Sequence, residues 1–346
     1  MNRFKLVSMN NERLFHTATL INNSVLITGG EENGLASNTA ELYCIESGLF
    51  TKINNMTIPR LIHTATNLMN GSILITGGLS NLENNTILNS AELYINGVFN
   101  KIDNMNSERY IHTATLINNY VLIAGGSTVN KKQIILKTAE LYCISTNQFI
   151  KLDNMNYQRD CHSAVEFNNN VLITGGRLAI HNDDIITNTA EIYNNTTQFT
   201  LTKNMKERRL FHTSTNLMNG YILIAGGRTS KNIILNTCEL YCIETGEFTM
   251  TGPMIYRREL HTAVNVMNGS VMIIGGQSDD NVILNTTEIY NIYTKEFYRM
   301  DDMIENRFYP IATNLNNMSI LVTGGSSKQD KNMNYIGLNS SELYTV

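Results

Sequence analysis

Seven pairs of adjacent glycines divide the chain of 346 residues into units of 48 to 51 residues, about 49 on average. Self-similarity at such a fixed period is typical of repeat architectures, in which each unit is one supersecondary element. The repetition therefore outweighs the two domains that chain length alone would suggest, and it predicts a single domain over residues 1–346. The first glycines of the pairs are Gly29, Gly77, Gly125, Gly175, Gly226, Gly275 and Gly324.

Each unit contains four short segments with the composition of β-strands. An HTATLI-type segment, an Asn-Asn or Asn-Gly turn and a VLITGG-type segment predict a β-hairpin. A TAELYC-type segment and an F-x-K-I segment follow, and none of the four has a helical period. Four strands in about 49 residues predict one blade of an all-β propeller per unit.

The two ends of the chain are complementary fragments of the same unit. The chain begins with RFKLVSM, a fourth strand without the other three, and it ends with SELYTV, a third strand without the fourth. We therefore expect the N-terminal strand to complete the last of seven blades. Such a closure removes exposed strand edges, which are prone to aggregation.

The repeated pattern resembles the kelch repeat, as found in the central propeller of galactose oxidase and in bacterial kelch proteins. The shared features are M-x3-R-x2-H-T-A-T, N-G-x-V-L-I-x-G-G, A-E-L-Y and G-x-F, and residues 239–276 carry them almost without gaps. The tryptophan usual in the fourth strand is replaced by phenylalanine in six repeats, from Phe50 to Phe297. The resemblance covers the whole chain and implies a seven-bladed kelch β-propeller.

Two charged positions occur once in every repeat. A lone buried charge is costly, so charges on inner strands are expected to be paired. We predict one structural ion pair per blade or blade junction. The arginines are Arg13, Arg60, Arg109, Arg159, Arg209, Arg258 and Arg307, and the glutamates are Glu41, Glu92, Glu140, Glu191, Glu239, Glu288 and Glu342.

Six histidines recur three residues after the repeated arginine, and Pro310 takes this position in the seventh repeat. One histidine per blade cannot converge on a single metal ion, so we expect structural hydrogen bonds. The six are His16, His63, His112, His162, His212 and His261.

Length variation is concentrated in the connection between the second and third strands. The distance from the first glycine of the pair to the glutamate ranges from 12 to 18 residues, whereas the other spacings are nearly constant. Loops on a rigid scaffold commonly carry binding sites. Kelch relatives bind partners with these loops, which favours a non-catalytic protein- or peptide-binding scaffold. The candidate partner-binding residues are Lys131, Lys132, Arg177, His181, Asp183, Asp184, Arg228, Lys231, Asp279, Asp280, Lys328 and Lys331.

Two alternatives remain open: a propeller that binds a glycan or small molecule, with Tyr120 and Tyr221 shaping a polar pocket, and a carbohydrate-acting enzyme related to galactose oxidase or sialic acid mutarotase. The resemblance to galactose oxidase implies a copper site with tyrosine, histidine and a cross-linked cysteine. The chain has no Tyr-His dipeptide of the kind that site uses, and Cys161 beside His162 occupies an ordinary repeat position. The set His181, Asp183 and Asp184 lacks a diagnostic metal-binding spacing. We therefore predict no catalytic residue, no metal and no cofactor.

Composition restricts the partner and the compartment. The net charge is −4 and no run of basic residues occurs, which argues against nucleic acid and anionic membranes as partners. No apolar stretch is long enough to cross a membrane and no signal peptide is evident. The five cysteines include no CxxC pair. We therefore expect a cytoplasmic, monomeric propeller whose partner is an unidentified protein or peptide.

Overall fold

The structure, a computed structural model, confirms an all-β propeller with seven blades. It describes residues 3–81, 86–130, 132–180, 183–194, 198–266, 269–315, 319–329 and 334–345. Each repeat forms one antiparallel blade, and the innermost strand of each blade contacts the innermost strand of the next. The innermost strand of the seventh blade contacts that of the first, so the ring is closed.

The chain enters with strand β1 (Phe4–Arg13) and then builds the blades in sequence order. Blade 1 contains β2 (Thr17–Ile21), β3 (Ser24–Thr28), β4 (Glu31–Glu32), β5 (Leu35–Ala36), β6 (Ala40–Cys44) and β7 (Leu49–Lys52). Blade 2 contains β8 (Thr64–Asn67), β9 (Ser72–Thr76), β10 (Leu79–Asn81), β11 (Thr86–Ile87), β12 (Ala91–Ile95) and β13 (Val98–Lys101). Blade 3 contains β14 (Thr113–Ile117), β15 (Tyr120–Ala124), β16 (Ser127–Asn130), β17 (Lys132–Ile135), β18 (Ala139–Cys143) and β19 (Gln148–Lys151).

Blades 4 to 7 follow the same order. Blade 4 contains β20 (Ser163–Phe167), β21 (Asn170–Thr174), β22 (Arg177–Ile180), β23 (Asp183–Ile186), β24 (Ala190–Asn194) and β25 (Gln198–Leu201). Blade 5 contains β26 (Thr213–Asn216), β27 (Tyr221–Ala225), β28 (Cys238–Cys242) and β29 (Glu247–Thr251). Blade 6 contains β30 (Thr262–Asn265), β31 (Val271–Ile274), a 3-10 turn (Asp279–Asn281), β32 (Thr287–Asn291) and β33 (Glu296–Arg299). Blade 7 contains β34 (Ile311–Asn314), β35 (Ser319–Thr323), β36 (Ser326–Gln329) and β37 (Tyr335–Thr345).

The N-terminal strand closes blade 7, as the two chain ends predict. β1 pairs antiparallel with β37, with Phe4 opposite Tyr344, so the strand order of the blade is β1-β37-β35-β34. The rings of Phe4 and Tyr344 lie 4.7 Å apart, and a Tyr–Phe pair of the same kind joins the third and fourth strands in the other six blades. Phe4 therefore takes the place that Phe50 has in blade 1.

The hydrophobic core lies between neighbouring blades. One cluster, for example, joins Leu26 of blade 1 to Ile73 and Phe99 of blade 2, with Met56 from the connection between them. The middle of each blade is covered by the blades on either side, so its strands are buried on both faces. The VLIT-type segments are therefore continuously apolar. Burial between blades makes each blade depend on its neighbours.

The glycine pairs occur where the backbones of successive repeats approach each other. Gly125 and Gly126 have φ angles of 61° and 89°, which L-residues with side chains rarely adopt. A Cβ atom on Gly125 would lie 2.4 Å from the backbone oxygen of Arg159 in the next repeat, and one on Gly126 would lie 2.6 Å from that of Tyr110. Steric exclusion of a side chain therefore accounts for the glycines.

The connections between the second and third strands carry additional structure that the sequence analysis treated as loops. In blades 1 to 4 they form separate two-stranded hairpins, and in blade 7 β36 pairs with an extension of β37. These connections and those from the fourth strand to the next blade lie on one face, because Leu14, just before blade 1, forms a β-bridge with Glu31. We refer to this face as the hairpin face.

Candidate functional site

The repeated arginine and glutamate form one buried ion pair in each blade. In blade 3 the Arg109 guanidinium donates to Glu140 Oε1 at 3.0 Å and to the backbone oxygens of Gly125 at 2.7 Å and Thr138 at 3.1 Å. Glu140 Oε2 accepts from the backbone N–H of Asn106 at 2.8 Å. The arginine therefore fixes the connection entering a blade to its second and third strands. The seven N–O distances between the paired side chains range from 2.6 to 3.1 Å.

Burial lowers the pKa of Arg109, and the charge of Glu140 opposes this effect. An arginine guanidinium nevertheless stays protonated at neutral pH, because its ordinary pKa is above about 12. The guanidinium is therefore charged and buried, and its charge faces Glu140 within the pair. The structural role of the two rows stays a prediction that stability measurements would test.

The repeated histidines lie beneath the hairpin face and link successive blades. His112 Nε2 lies 3.0 Å from Thr64 Oγ1 and 3.2 Å from Thr76 Oγ1, both in the preceding blade. His16 makes the same link to Thr323 of blade 7 at 2.8 Å, across the point where the ring closes. These are inter-blade hydrogen bonds, which is the kind of contact that the repeated spacing predicts.

Burial holds the histidines neutral. Together with the charges of Arg209 and Arg159, it lowers the pKa of His212 to about 3. The pKa values of His16 and His162 are likewise lowered to about 3. A neutral imidazole at six of the seven blade junctions suits a hydrogen bond to a hydroxyl group and provides no cation for a ligand.

The histidines should make the protein sensitive to acid. The pKa of His212 is about 3 in the folded protein and about 6.5 in the unfolded chain. At a pH between these two values, the unfolded chain therefore binds a proton at this histidine that the folded protein excludes. Stability from this group is complete above about pH 6.5 and is lost as pH falls toward 3. His212→Gln should therefore reduce the loss of unfolding free energy between pH 6.5 and 5 by about 2 kcal/mol. Urea titrations at both pH values measure it, and an unchanged difference would contradict the assignment.

A collar of seven side chains narrows the central channel beneath the hairpin face. Each belongs to the residue before the repeated histidine or its equivalent Pro310, has a φ angle between 50° and 59°, and lines a central cavity of about 410 Å³. This backbone conformation is costly for Ile62 and Ile111, since β-branched residues rarely adopt it. The collar consists of Phe15, Ile62, Ile111, Cys161, Phe211, Leu260 and Tyr309.

Sequence analysis did not recognise the collar, although every member immediately precedes the recurring histidine position. Its apolar character resembled that of a core position, and only the ring geometry shows that the seven side chains share one cavity. Tyr120 and Tyr221, in contrast, begin β15 and β27 and pack against apolar clusters between blades. The pocket that was suggested for these two tyrosines is therefore not the central cavity.

Two buried carboxylates break the repeat at the mouth of the channel. Asp160 and Glu259 follow the repeated arginine, at a position where leucine, tyrosine or phenylalanine stands in the other repeats. Asp160 accepts from Arg177 at 2.6 Å and from Ser127 Oγ at 2.6 Å. Glu259 lies 2.9 Å from Arg228 Nε. The sequence signal was the acidic residue at an apolar position, which the sequence analysis did not single out.

The candidate partner-binding residues fall on the hairpin face where the structure describes them. Arg177, Asp183 and Asp184 lie on β22 and β23, and Lys132 lies on β17. Arg177 and Arg228 form ion pairs with the buried carboxylates, whereas Lys132 and Lys231 are exposed to solvent. Asp279 and Asp280 lie on the 3-10 turn of blade 6, and Lys328 on β36. Lys131, His181 and Lys331 lie outside the described residues.

The described residues contain neither a cluster of potential metal ligands nor a helix that could span a membrane. In this part of the chain no group of three or more His, Cys, Asp and Glu side chains is arranged to hold a metal ion. Nor does any described helix have the length and apolar character needed to span a bilayer.

A family model described as the KLHDC2/KLHL20/DRC7 Kelch-repeats domain matches residues 111–325, more than half of the chain. The chain belongs to this kelch-repeat family. The match agrees with the resemblance that the repeated motifs indicate. Comparison with curated protein sequences gave no match.

Two solved structures resemble the kelch propeller. A fungal alcohol oxidase of the AA5 family, in complex with copper, has 15% sequence identity and a TM-score of 0.78 over 99% of this chain and 75% of its own. YjhT has 13% identity and a TM-score of 0.66 over 85% of this chain and 97% of its own. At these identities the likeness establishes the propeller fold and transfers no activity.

Proposed function

We propose that this kelch propeller is a non-catalytic scaffold that binds a protein or peptide on its hairpin face. The observation that carries the proposal is the contrast between a fixed framework and variable connections. Seven near-identical ion pairs and glycine pairs hold the blades. The connections on one face differ in structure: that of blade 5 is a turn closed by a single β-bridge, whereas that of blade 4 is a hairpin with two strands of four residues. Binding surfaces commonly combine a rigid scaffold with such variable segments.

The charge distribution on this face supports a polar macromolecular partner. Arg228 and Arg257 of blades 5 and 6 lie near Glu259 and Asp279, so residues of both signs are interspersed. Mixed charges favour specific pairing with a complementary polar surface over attraction of a strongly charged polymer. The Arg–Glu pairs and the histidines are buried, which leaves the connections as the candidates for recognition.

Exchange of one hairpin tests the proposal. Residues 177–188 of blade 4 would be replaced by residues 228–236, the shorter connection of blade 5, which likewise begins with arginine and ends with asparagine. The anchoring contact is retained, because Asn188 Nδ2 donates to Met205 O at 2.8 Å and Asn236 Nδ2 donates to Met254 O at 3.0 Å. A partner isolated with the unaltered protein and then purified should bind the exchanged protein at least about tenfold more weakly, since loss of a few interface anchors costs this much.

The matched control exchanges a turn on the opposite face. Residues 144–147 would be replaced by residues 243–246, the equivalent turn of blade 5, in which Gly246 adopts the positive φ of Asn147. Affinity should stay within about twofold in this control. If the protein with the exchanged blade 4 hairpin bound the purified partner as tightly as the unaltered protein, binding through that hairpin would be contradicted.

A glycan or small metabolite is the second candidate, favoured by the central cavity of about 410 Å³, since small-molecule sites usually have about 300–1,000 Å³. Calorimetric titration with a set of mono- and oligosaccharides would detect it. Metal analysis and an alcohol or sugar oxidase assay test the enzymatic alternative. Stoichiometric copper or turnover would overturn the scaffold proposal.

A further inference from the structure

Two blades that face each other across the channel carry opposite net charges in their connections on the hairpin face. Besides the pair Arg13–Glu41, the connections of blade 1 between residues 11 and 41 carry three carboxylates and no Lys or Arg, a net charge of −3. Besides the pair Arg209–Glu239, the connections of blade 5 between residues 206 and 239 carry four cations and one carboxylate, a net charge of +3. The acidic arc is Glu12, Glu31 and Glu32, and the basic arc is Lys206, Arg208, Arg228 and Lys231.

The two arcs lie nearly opposite each other, because blades 1 and 5 are three positions apart on a closed ring of seven. The collar lies between them. Arg228 connects the basic arc to the collar, since its guanidinium carbon lies 5.8 Å from the ring centre of Phe211. A ligand crossing the face from one arc to the other would therefore pass over an apolar opening.

The acidic arc borders a second cavity that joins the collar. Glu12 and Glu31 line this cavity of about 600 Å³ together with Tyr335 and Phe15, and Phe15 is also a collar residue. The carboxylates of Glu12 and Glu32 accept hydrogen bonds, one from the backbone N–H of Asn33 to Glu12 at 3.3 Å and one from Ser37 Oγ to Glu32 at 3.1 Å. Among the described residues none of the three is in an ion pair.

Within the described part of the chain, the charge of this arc therefore has no cationic partner. Burial raises the pKa of Glu31, and the nearby charge of Glu12 raises it further. A cationic side chain between these two carboxylates would relieve their repulsion. In the basic arc the carboxylate of Glu207 is bound to Arg209 at 3.0 Å and Arg228 is paired with Glu259 at 2.9 Å. Lys206, Arg208 and Lys231 therefore supply the cationic charge of that arc.

We propose that the partner is an extended, dipolar peptide segment: an apolar side chain enters the collar, a basic side chain lies in the cavity of Glu12 and Glu31, and an acidic side chain faces the basic arc. The inference rests on the proposed function and adds the chemistry of the partner. Apolar burial in the collar supplies affinity. The opposed arcs fix the direction in which the peptide lies, since complementary charges mainly determine register and specificity.

Synthetic peptides test the proposal directly. The probe is a fluorescent, capped peptide with two lysines, one leucine and two aspartates, and with one to four serines between these groups. Replacement of leucine by alanine should weaken binding about tenfold or more at the best spacing, because a buried leucine side chain contributes this much. Versions with four lysines or four aspartates should bind more weakly than the dipolar peptide, and the difference should shrink at high salt.

Protein variants assign the contacts. Ile111→Asn places a residue that tolerates positive φ at the collar and should abolish the preference for leucine over alanine. Ile150→Asn, on the outer strand of blade 3 where the side chain is 45% exposed, is the control and should retain it. The double variant E12K/E31K should shift the preference toward the peptide with four aspartates.

The outcomes separate this inference from the proposed function. Equal binding of the leucine and alanine peptides, or no change in charge preference in E12K/E31K, would overturn the dipolar partner. The proposed function would still stand if the blade 4 hairpin exchange abolished binding of the purified partner. If every variant kept its binding of the purified partner and of the peptides, both the dipolar partner and the proposed function would be contradicted.

Discussion

Arg109→Ala is expected to lower the free energy of unfolding by about 3–5 kcal/mol, because removal of one partner leaves a buried, uncompensated charge on the other. Arg109 and Glu140 are each almost fully inaccessible to solvent. The variant would also remove the guanidinium donor from the backbone oxygen of Gly125 and leave that of Thr138 with only the N–H of Gly125. Chemical denaturation of the purified variant measures the loss.

Two variants make this result interpretable. Lys132→Ala, on the exposed strand β17, should change stability by no more than about 0.5 kcal/mol. The double variant R109M/E140L removes both charges, and a simple ion pair replaced in this way can be neutral. We expect only partial recovery, because the two backbone oxygens stay without the arginine. Equal effects of Arg109→Ala and Lys132→Ala would refute the structural role of the row.

Deletion of residues 1–8 should lower the melting temperature by about 10 °C and cause self-association. The deletion removes Phe4, which is 4% exposed, and truncation of a buried phenylalanine alone costs about 3–5 kcal/mol. In a domain of 346 residues, each kcal/mol corresponds to about 1.4 °C, so the loss of Phe4 accounts for about 4–7 °C and the lost strand pairing for the rest. It also uncovers β37 from Ser340 to Tyr344, and an exposed strand edge templates pairing with other chains.

Leu6→Ser is the control for the deletion. Leu6 lies on β1 but is 45% exposed, so its replacement should leave the melting temperature nearly unchanged. A synthetic peptide of residues 1–13, added to the truncated protein, should restore part of the lost stability by pairing with β37. An unchanged melting temperature together with monomeric elution of the truncated protein would show that ring closure does not depend on β1.

Much of the architecture could be predicted from the sequence because each repeat encodes its own blade. The Arg109–Glu140 pair joins residues that are 31 positions apart within one repeat, and the apolar strand segments and glycine pairs are also local signals. Even the closure of blade 7 was predictable, since the fragments at the two ends match one missing unit. The strands in the connections were not, because Arg177–Ile186 reads as a variable polar loop and becomes a hairpin only on the face of a formed blade.

The candidate site could not be predicted from the sequence, because its residues come together only when the ring closes. The sequence by itself determined the number of blades, the paired charges and the histidine row, because these are set by distances within a repeat or to its neighbour. Only the tertiary structure decided that Phe15 and Tyr309, 294 positions apart, meet at 5.0 Å in one collar. It likewise placed Glu31 and Arg208 on nearly opposite sides of one opening. The physical reason is that closure of the ring, and not spacing along the chain, selects which equivalent positions share the channel.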